Sequence, residues 1–459
     1  MSLSKSNYII LITTIASFVV AYISVALSVA LPTIAREFTL NNIMQNWVVN
    51  SFLISVAVFA VPTGSLSAKI GFKKSFLIGN IVFLLGSIIS PLATSPLSLI
   101  IFRAFQGFGA AIIYNTVMNI VTLGVNPNER GKAIGIVISG VYVGLALAPV
   151  LGGVLTYNFG WRSIFYFSIP FILLVIFLTT FKLEGEWKIN EKEKFDTKGG
   201  LIWSLAIFLF VYGFSKINHY DGAVLSLLGI VLLAVFAYCE INVKNPVYNV
   251  KVFKNKLFTS ATIVSLISYI ATYFVTFVLS YHLQYIMGWN AEITGFFLII
   301  APLFETLISM PSGKLSDRIN PLKIAIFGMV LVTLAMFLLC FLSSTTSIFL
   351  ILAVLVIQGI GFGIFASPNT NIMMSSLDEE DTPTASVSVT VVRVVGQTMS
   401  LAMLTIIFAM IMGNVEIIPK YYGLLILSSR WTCIVGTILC AISILIYFVA
   451  YKTSIKSPN

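Results

Sequence analysis

The sequence predicts an all-α polytopic membrane protein with fourteen transmembrane helices. Of its 459 residues, 58% are hydrophobic and only 10% are charged, and the mean hydropathy is +1.00. A soluble domain is about 45–50% apolar and about 25% charged, and a single core could not bury so many large apolar side chains. The composition therefore excludes soluble enzymes, nucleic-acid-binding proteins and disordered proteins.

Fourteen apolar runs follow one another along the chain, each near the length of about 20 residues that a helix needs to cross the hydrocarbon core. They cover residues 8–31, 47–66, 75–93, 99–121, 133–156, 164–182, 199–216, 223–243, 258–283, 292–312, 322–342, 347–373, 385–412 and 425–451.

The 27 Lys and Arg residues predict the orientation of these spans. With a cytoplasmic N-terminus, 20 of them fall in inner loops and tails, five fall in outer loops, and Arg103 and Arg393 fall within spans. This distribution follows the positive-inside rule. The net charge of +10 therefore indicates topology rather than a polyanionic partner. Both termini are expected in the cytoplasm, and no nucleic acid is expected as a partner.

Two motifs recur at nearly one spacing. Residues Gly64–Lys74 resemble Gly313–Lys323, 249 positions later, and Gln106–Gly109 resemble Gln358–Gly361, 252 positions later. The first motif follows span two and its copy follows span ten. This step of eight fits two six-helix halves, residues 1–198 and 244–459, separated by two linker helices within 199–243. Parallel six-helix repeats around a midplane site are typical of secondary transporters.

Several motifs carry a family resemblance. Residues 64–74 resemble the major facilitator superfamily signature between helices two and three, and residues 99–111 resemble its helix-four motif with an embedded arginine, here Arg103. Predicted helix five matches the family's antiporter motif at the following positions, where Ala148 replaces one glycine: Gly135, Gly144, Ala148, Pro149, Gly152 and Gly153. The chain is thus similar to the fourteen-helix drug–proton antiporter branch of that superfamily.

The resemblance implies the major facilitator fold, with export of small lipophilic compounds, cations included, by alternating access of the two halves. It implies the proton gradient as the energy source, with no cofactor or metal. The expected protein is a functional monomer whose surroundings are the lipid bilayer of a prokaryotic plasma membrane. The segments expected to gate the halves are loops that contain Gly64, Lys69, Gly71, Lys73 and Lys74 in the first half, and Gly313, Asp317 and Arg318 in the second.

Two positions depart from the family pattern. Ala68 stands where the signature has an aspartate, although the second copy keeps Asp317. In the family this aspartate helps to lock the halves, so the lock is weakened in the first half. Many relatives also carry an acid in helix one, whereas residues 21–30 here contain no charge.

Ionisable residues inside the spans are the candidate functional groups, because a charge at the bilayer centre costs about 2.5–3.5 kcal/mol on insertion scales. Glu305 is the one deep carboxylate in the predicted spans. Burial favours its neutral form and a nearby cation favours its ionised form, so it could carry a proton. The alternative is a structural hydrogen bond or an ion pair with an arginine.

Arginine and glutamine pairs complete the candidate site. The resemblance implies a proton relay for Arg103 with Gln106, and a packing anchor on the carbonyls of a neighbouring helix is the alternative. For Arg393, with Gln397 one turn on, a structural salt bridge is the favoured interpretation and a role in transport is the alternative.

Predicted helix five combines small residues with a proline. Gly144, Ala148 and Gly152 recur every four residues and form a stripe that lets another helix approach closely. Pro149 removes one backbone hydrogen bond and so allows a bend. The motif therefore predicts a flexible contact between the halves, and tight packing without motion is the alternative.

Two other functions remain open. One is an exporter or exchanger, or even an importer, of a specific native metabolite or lipid, which the missing helix-one acid favours. The other is a non-transporting membrane sensor or a membrane-embedded enzyme. Catalysis is not expected, since no deep histidine, paired carboxylates or nucleophile constellation is visible in the spans.

Overall fold

A computed structural model describes residues 5–126, 130–188, 196–214, 220–243, 246–316, 318–378, 381–413 and 415–456. Within these ranges every regular element is helical, and fourteen helices or helix pairs are long and apolar enough to cross a membrane. The α-helices are α1 (Lys5–Phe38), α2 (Asn42–Ile70), α3 (Phe72–Ile89), α4 (Pro96–Gly124), α5 (Arg130–Phe159), α6 (Ser163–Phe181), α7 (Thr197–Phe214), α8 (Tyr220–Asn242), α9 (Lys256–Thr272), α10 (Val275–Tyr281), α11 (Ala291–Leu298), α12 (Ile300–Ser316), α13 (Pro321–Leu339), α14 (Ile348–Ser375), α15 (Thr382–Met412) and α16 (Tyr422–Lys456).

The ninth and tenth spans are each built from two helices. The ninth contains α9, α10 and a π-helical turn at His282–Ile286, and the tenth contains α11 and α12. Between α9 and α10 the backbone N–H of Phe274 donates to the Ser400 hydroxyl at 3.0 Å instead of continuing the helical ladder. A side chain inserted into the backbone hydrogen-bond ladder can interrupt a helix even where no proline is present.

The two halves repeat the same helix crossings. A methyl group placed on Gly109 of α4 would come within 2.8 Å of the Gly79 carbonyl oxygen of α3. One on Gly361 of α14 would lie 3.0 Å from the Gly328 carbonyl oxygen of α13. These pairs are related by the sequence offsets of 249 and 252. The motif glycines therefore allow close crossings at equivalent places in the first half (α1–α6) and the second half (α9–α16).

The linker helices α7 and α8 form a hairpin at the edge of the bundle. The indole of Trp203 donates to the Ala57 carbonyl at 3.2 Å, and the Ser204 hydroxyl donates to the Val58 carbonyl at 2.9 Å. Both contacts join α7 to α2. Helix α8 keeps large apolar side chains such as Leu227, 61% exposed, on the outside of the bundle.

The expectation that the signature motif forms a loop is wrong. Gly64 and Lys69 lie in α2, Lys73 and Lys74 lie in α3, and Gly71 alone separates the two helices with a φ of 116°. Because only glycine adopts such a φ readily, Gly71 makes the turn and its neighbours stay helical.

The second copy of the motif is also helical where it is described. Gly313 lies in α12, which continues to Ser316. The exposed Arg318 follows that helix end, and Asp317 lies outside the described residues.

The repeated crossings predict different costs for two Gly→Ala substitutions. Gly109→Ala should lower the melting temperature of the purified protein, because its methyl group would lie 2.6 Å from the Phe83 backbone nitrogen. Overpacking of this kind costs about 1–3 kcal/mol. Gly423→Ala is the matched control, since nothing lies within 4 Å of the added methyl group. Equal melting temperatures for the two variants would contradict the crossing.

Candidate functional site

A cavity lies between the two halves. Its empty volume is about 360 Å³, part of which is open to solvent. The first half supplies residues of α1, α2, α4 and α5, and the second half supplies residues of α15. The lining residues are Ser24, Phe52, Leu53, Val56, Tyr114, Val141, Leu145, Arg393, Val394 and Gln397.

Arg393 and Gln397 meet at this cavity, as their spacing on one helix face predicts. The guanidinium carbon of Arg393 lies 5.7 Å from the centroid of the Tyr114 ring, which belongs to the opposite half. This is within the range of a cation–π interaction. The sequence analysis favours a structural salt bridge for Arg393, but no ion pair of the described residues includes it. Arg393 faces the cavity instead.

Glu305 lies next to the cavity without lining it. It is half-buried on α12, at the point where Gly363 of α14 approaches the Glu305 backbone. The charge of Arg393 acts on it electrostatically. Both charges act on Tyr142 of α5, which lies close to Ser309, one turn beyond Glu305. The carboxyl group is thus connected to the cavity cation and to the opposite half.

Arg103 and Gln106 lie behind the cavity wall rather than in it. Both are fully buried. Arg103 donates to the Gln106 amide oxygen at 2.5 Å and to the Ile23 carbonyl at 3.5 Å, while Gln106 donates to the Ser87 hydroxyl at 2.8 Å. The guanidinium lies 4.5 Å from the ring centroid of Phe52, a lining residue. This arrangement has the contacts of a packing anchor, and one guanidinium nitrogen, Nε, stays without a partner.

The antiporter motif of α5 faces two different neighbours. Gly144 and Gly152 pack on α1, where added methyl groups would come within 2.5 Å of the Phe18 and Ala26 carbonyl oxygens. The stripe of small residues that also includes the buried Ala148 therefore contacts a helix of the same half.

The other face of α5 meets the second half. A methyl group on Gly153 would collide with the Ala291 carbonyl, and one on Gly295 would collide with the Pro149 carbonyl. The contact between halves predicted for α5 thus comes from Pro149 and Gly153. Helix α5 remains continuous through Pro149. Gly135 lies in α5, and its surroundings are outside the described residues.

Hydrogen bonds between neutral groups join the halves at the end of the bundle where α1 ends and α2 begins. We call this set the polar gate. In each of its hydrogen bonds the first-named side chain is the donor. The bonds are Tyr281 to the Asn46 side chain at 2.9 Å, Gln284 to the Val29 carbonyl at 2.9 Å, Ser280 to the Ser28 carbonyl at 3.0 Å, Asn42 to the Gly413 carbonyl at 3.0 Å and Tyr285 to the Gln45 side chain at 3.4 Å. The gate closes the cavity toward the end that the predicted topology places outside.

Sequence reasoning missed the gate and one further residue, Glu186. Its carboxylate accepts from the backbone N–H groups of Lys73 at 2.8 Å and Lys74 at 3.1 Å, and Lys73 Nζ donates to the Leu183 carbonyl. The basic motif is thus held by the segment after α6, within one half. The sequence signal for Glu186 is that the first turn of α3 has no acidic residue of its own. Because helix N-termini attract carboxylates, an acid from elsewhere in the chain is expected there.

Comparison with known proteins identifies the family. A family model described as Major Facilitator Superfamily matches residues 13–401 and 262–458. The chain belongs to the major facilitator superfamily. Its members are transporters and not enzymes, so this is a multi-pass transporter of fourteen helices.

Relatives and solved structures agree with this placement. The chain is 29% identical to the riboflavin transporter RibZ of Clostridioides difficile over 76% of the chain and 77% of that protein. It is 29% identical to the multidrug resistance protein Stp of Mycobacterium tuberculosis over 89% of the chain and 77% of that protein.

With the multidrug efflux pump LfrA of Mycolicibacterium smegmatis it shares 25% identity over 87% of the chain and 80% of that protein. A crystal structure of a bacterial homolog to the human lysosomal transporter Spinster, in an inward-facing and unoccupied conformation, aligns over 100% of both chains with a TM-score of 0.69 and 17% identity. This likeness supports the fold.

The contacts of Arg103 predict a loss of stability when it is removed. Arg103→Ala should lower the unfolding free energy by about 2–4 kcal/mol, because a buried charge-assisted hydrogen bond and its packing are lost. Thermal unfolding of the purified protein measures this. Arg103→Lys keeps the charge without the planar fork. Transport that fails in Arg103→Lys despite a normal melting temperature would contradict a purely anchoring role.

The polar gate predicts a shift between conformations. Tyr281→Phe should weaken closure by about 1 kcal/mol, about fivefold in the ratio of closed to open molecules, because one hydrogen bond between halves is lost. Spin labels at Asn158 and Ile293, in a variant without native cysteines, report the separation of the halves at this end. The control is Tyr22→Phe, which removes a buried hydroxyl bonded to the Ile164 carbonyl within one half. An equal shift in both variants would refute the gate.

Proposed function

We propose that this superfamily member is a proton-coupled transporter that exports small lipophilic compounds by alternating access. The observation that carries the proposal is the cavity between the halves, with Arg393 in its wall and Glu305 beside it. The expected setting is a prokaryotic plasma membrane with both termini in the cytoplasm, and the energy source is the proton gradient. A monomer is sufficient, because each half supplies part of the one cavity.

Alternating access is supported by the uneven connection between the halves. The polar gate closes one end with single hydrogen bonds between neutral groups. Each contributes about 0.5–1.5 kcal/mol, so the gate can open without separating charges. Since the predicted topology places the gate outside, the cavity would receive its substrate from the cytoplasm or the inner leaflet.

Glu305 is the proposed proton carrier. It is a half-buried carboxyl group whose environment includes one cation, Arg393, and a tyrosine of the opposite half, Tyr142. Protonation changes the charge at the interface of the halves, and therefore the relative stability of their arrangements. The name of LfrA, a multidrug efflux pump, supports export, and the names of both Stp and LfrA support a range of drugs as substrates.

A second candidate is transport of one native metabolite. The named substrate of RibZ, riboflavin, is such a compound. The observation that favours this candidate is the lining of the cavity, whose described residues include no carboxylate to attract a lipophilic cation. Saturable transport of a single compound, with no flux of other lipophilic compounds of similar size, would favour it over multidrug export.

Proton coupling is tested with Glu305→Gln. Sealed vesicles carry the protein and a pH-sensitive dye. When a transported compound is added to vesicles with the wild-type protein, the pH that the dye reports should change, and this change is the proton signal. The signal should be lost in Glu305→Gln, because the amide cannot take up the proton. Gradient-independent exchange of labelled compound across the membrane should persist, since the cavity lining is unchanged.

The matched control is Glu240→Gln. Glu240 is also buried in a span, but in the linker hairpin, where it accepts from the Tyr248 backbone N–H at 2.9 Å. A glutamine oxygen can keep that hydrogen bond, so coupling should be normal. An unchanged proton signal in Glu305→Gln would discard Glu305 as the carrier.

A further inference from the structure

The charge of the cavity wall limits the substrates that it can hold. Arg393 is the one charged residue among the described lining residues. Its neighbours in the wall are mainly apolar, with Phe52 and Tyr114 as the two aromatic rings. A lipophilic cation placed here would lie beside the like charge of Arg393 in a medium where water screens it poorly, and this contact is unfavourable unless an ionised Glu305 offsets the charge.

Arg393 and Gln397 are hydrogen-bond donors for which the described residues supply no acceptor. In the described part of the chain, neither the guanidinium nor the carboxamide forms a hydrogen bond with another residue. They are one helical turn apart on α15, so both reach the same part of the cavity. A guanidinium carries five N–H donors, and donors that face an apolar cavity gain most from a ligand that supplies an acceptor.

We propose that Arg393 and Gln397 recognise a hydrogen-bond acceptor of the substrate, and that the substrates are neutral planar ring compounds with a carbonyl group rather than lipophilic cations. The ring would lie against Phe52 and Tyr114, and the carbonyl would accept from Arg393. This inference rests on the proposed function for the direction of transport and for proton exchange.

Glu305 explains why the neutral class is preferred to anions. When Glu305 is ionised it offsets the charge of Arg393, and when it is protonated Arg393 is left free. An anion would therefore bind best together with the proton, which is the requirement of cotransport. A neutral acceptor depends less on this charge, and it is compatible with exchange against protons.

Three compounds with one ring system test the recognition directly. They are 2-naphthamide, which carries a carbonyl, 2-methylnaphthalene, which has no acceptor, and (2-naphthylmethyl)trimethylammonium, which is a cation. Binding is measured by equilibrium dialysis of the full-length protein in nanodiscs, with empty nanodiscs as the blank. Wild type should bind the amide about tenfold more tightly than either of the other two, as expected for one hydrogen bond to a charged donor.

Substitutions assign this preference to the two residues. Arg393→Gln should reduce the preference for the amide over methylnaphthalene to about twofold and should improve binding of the cation. Gln397→Leu should reduce the same preference by a smaller factor. The control is Arg430→Gln, because Arg430 donates to the Leu342 carbonyl and is not a lining residue. This variant should match wild type. Arg393→Met, which removes both the charge and the donors, replaces Arg393→Gln if that variant fails to fold.

The proposal is overturned if the cation binds wild type as tightly as the amide or if none of the three compounds binds. It is also overturned if the full preference for the amide survives in Arg393→Gln or, where that variant does not fold, in Arg393→Met. The dialysis uses no proton gradient, so its outcome is separate from coupling. A normal amide preference together with a normal proton signal in Glu305→Gln would reject Glu305 as the proton carrier and leave the recognition site standing.

Discussion

The hydrocarbon interior requires each polar group of the chain to find a partner within the protein. Most of this bundle meets the requirement with helical backbone and with serine and threonine hydroxyls that bond to the preceding turn, as Ser268 does with Val264 at 2.6 Å. Among the described residues, the buried side-chain atoms without a partner are spread over the bundle, and those on the residues of the polar gate or close to them in the chain are Ser28 Oγ, Gln45 Nε2, Asn46 Nδ2, Asn50 Oδ1 and His282 Nε2. Unmet polar groups at an interface favour its rearrangement, because another arrangement can satisfy them.

The features that the sequence predicts well are those carried by single elements. Fourteen spans follow from hydropathy, and the glycines of the two repeated motifs make the close crossings that their small size allows. The features that it does not predict depend on pairs of distant residues. Tyr281 and Asn46, 235 positions apart, are ordinary neutral residues that neither composition nor periodicity distinguishes. The direction of Arg393 was similarly hidden, because its helix face is defined only once α4 and α15 are placed together.

The missing aspartate at position 68 and the neutral gate both reduce the part that charge plays in holding the halves together. Where the family signature would supply a charge to hold the halves, this chain has Ala68, and its basic motif is held by Glu186 within one half. The contacts between halves at the gate are neutral and individually weak. The energy needed to open the gate is therefore spread over several small contributions, none of which requires an ion pair to be broken in a medium of low dielectric constant.

Helix α5 connects the gate to the cavity. Its glycine stripe packs it on α1, and Pro149 and Gly153 place it against α11 of the second half. Val141 and Leu145 line the cavity about one to three turns away. Helix α5 is continuous through Pro149, so no break separates its contact with α11 from its cavity-lining residues. Through Tyr142, the same helix also interacts with Ser309 and with the charges of Glu305 and Arg393. Under the proposed function, opening of the gate and a change of charge at Glu305 would therefore both act on α5.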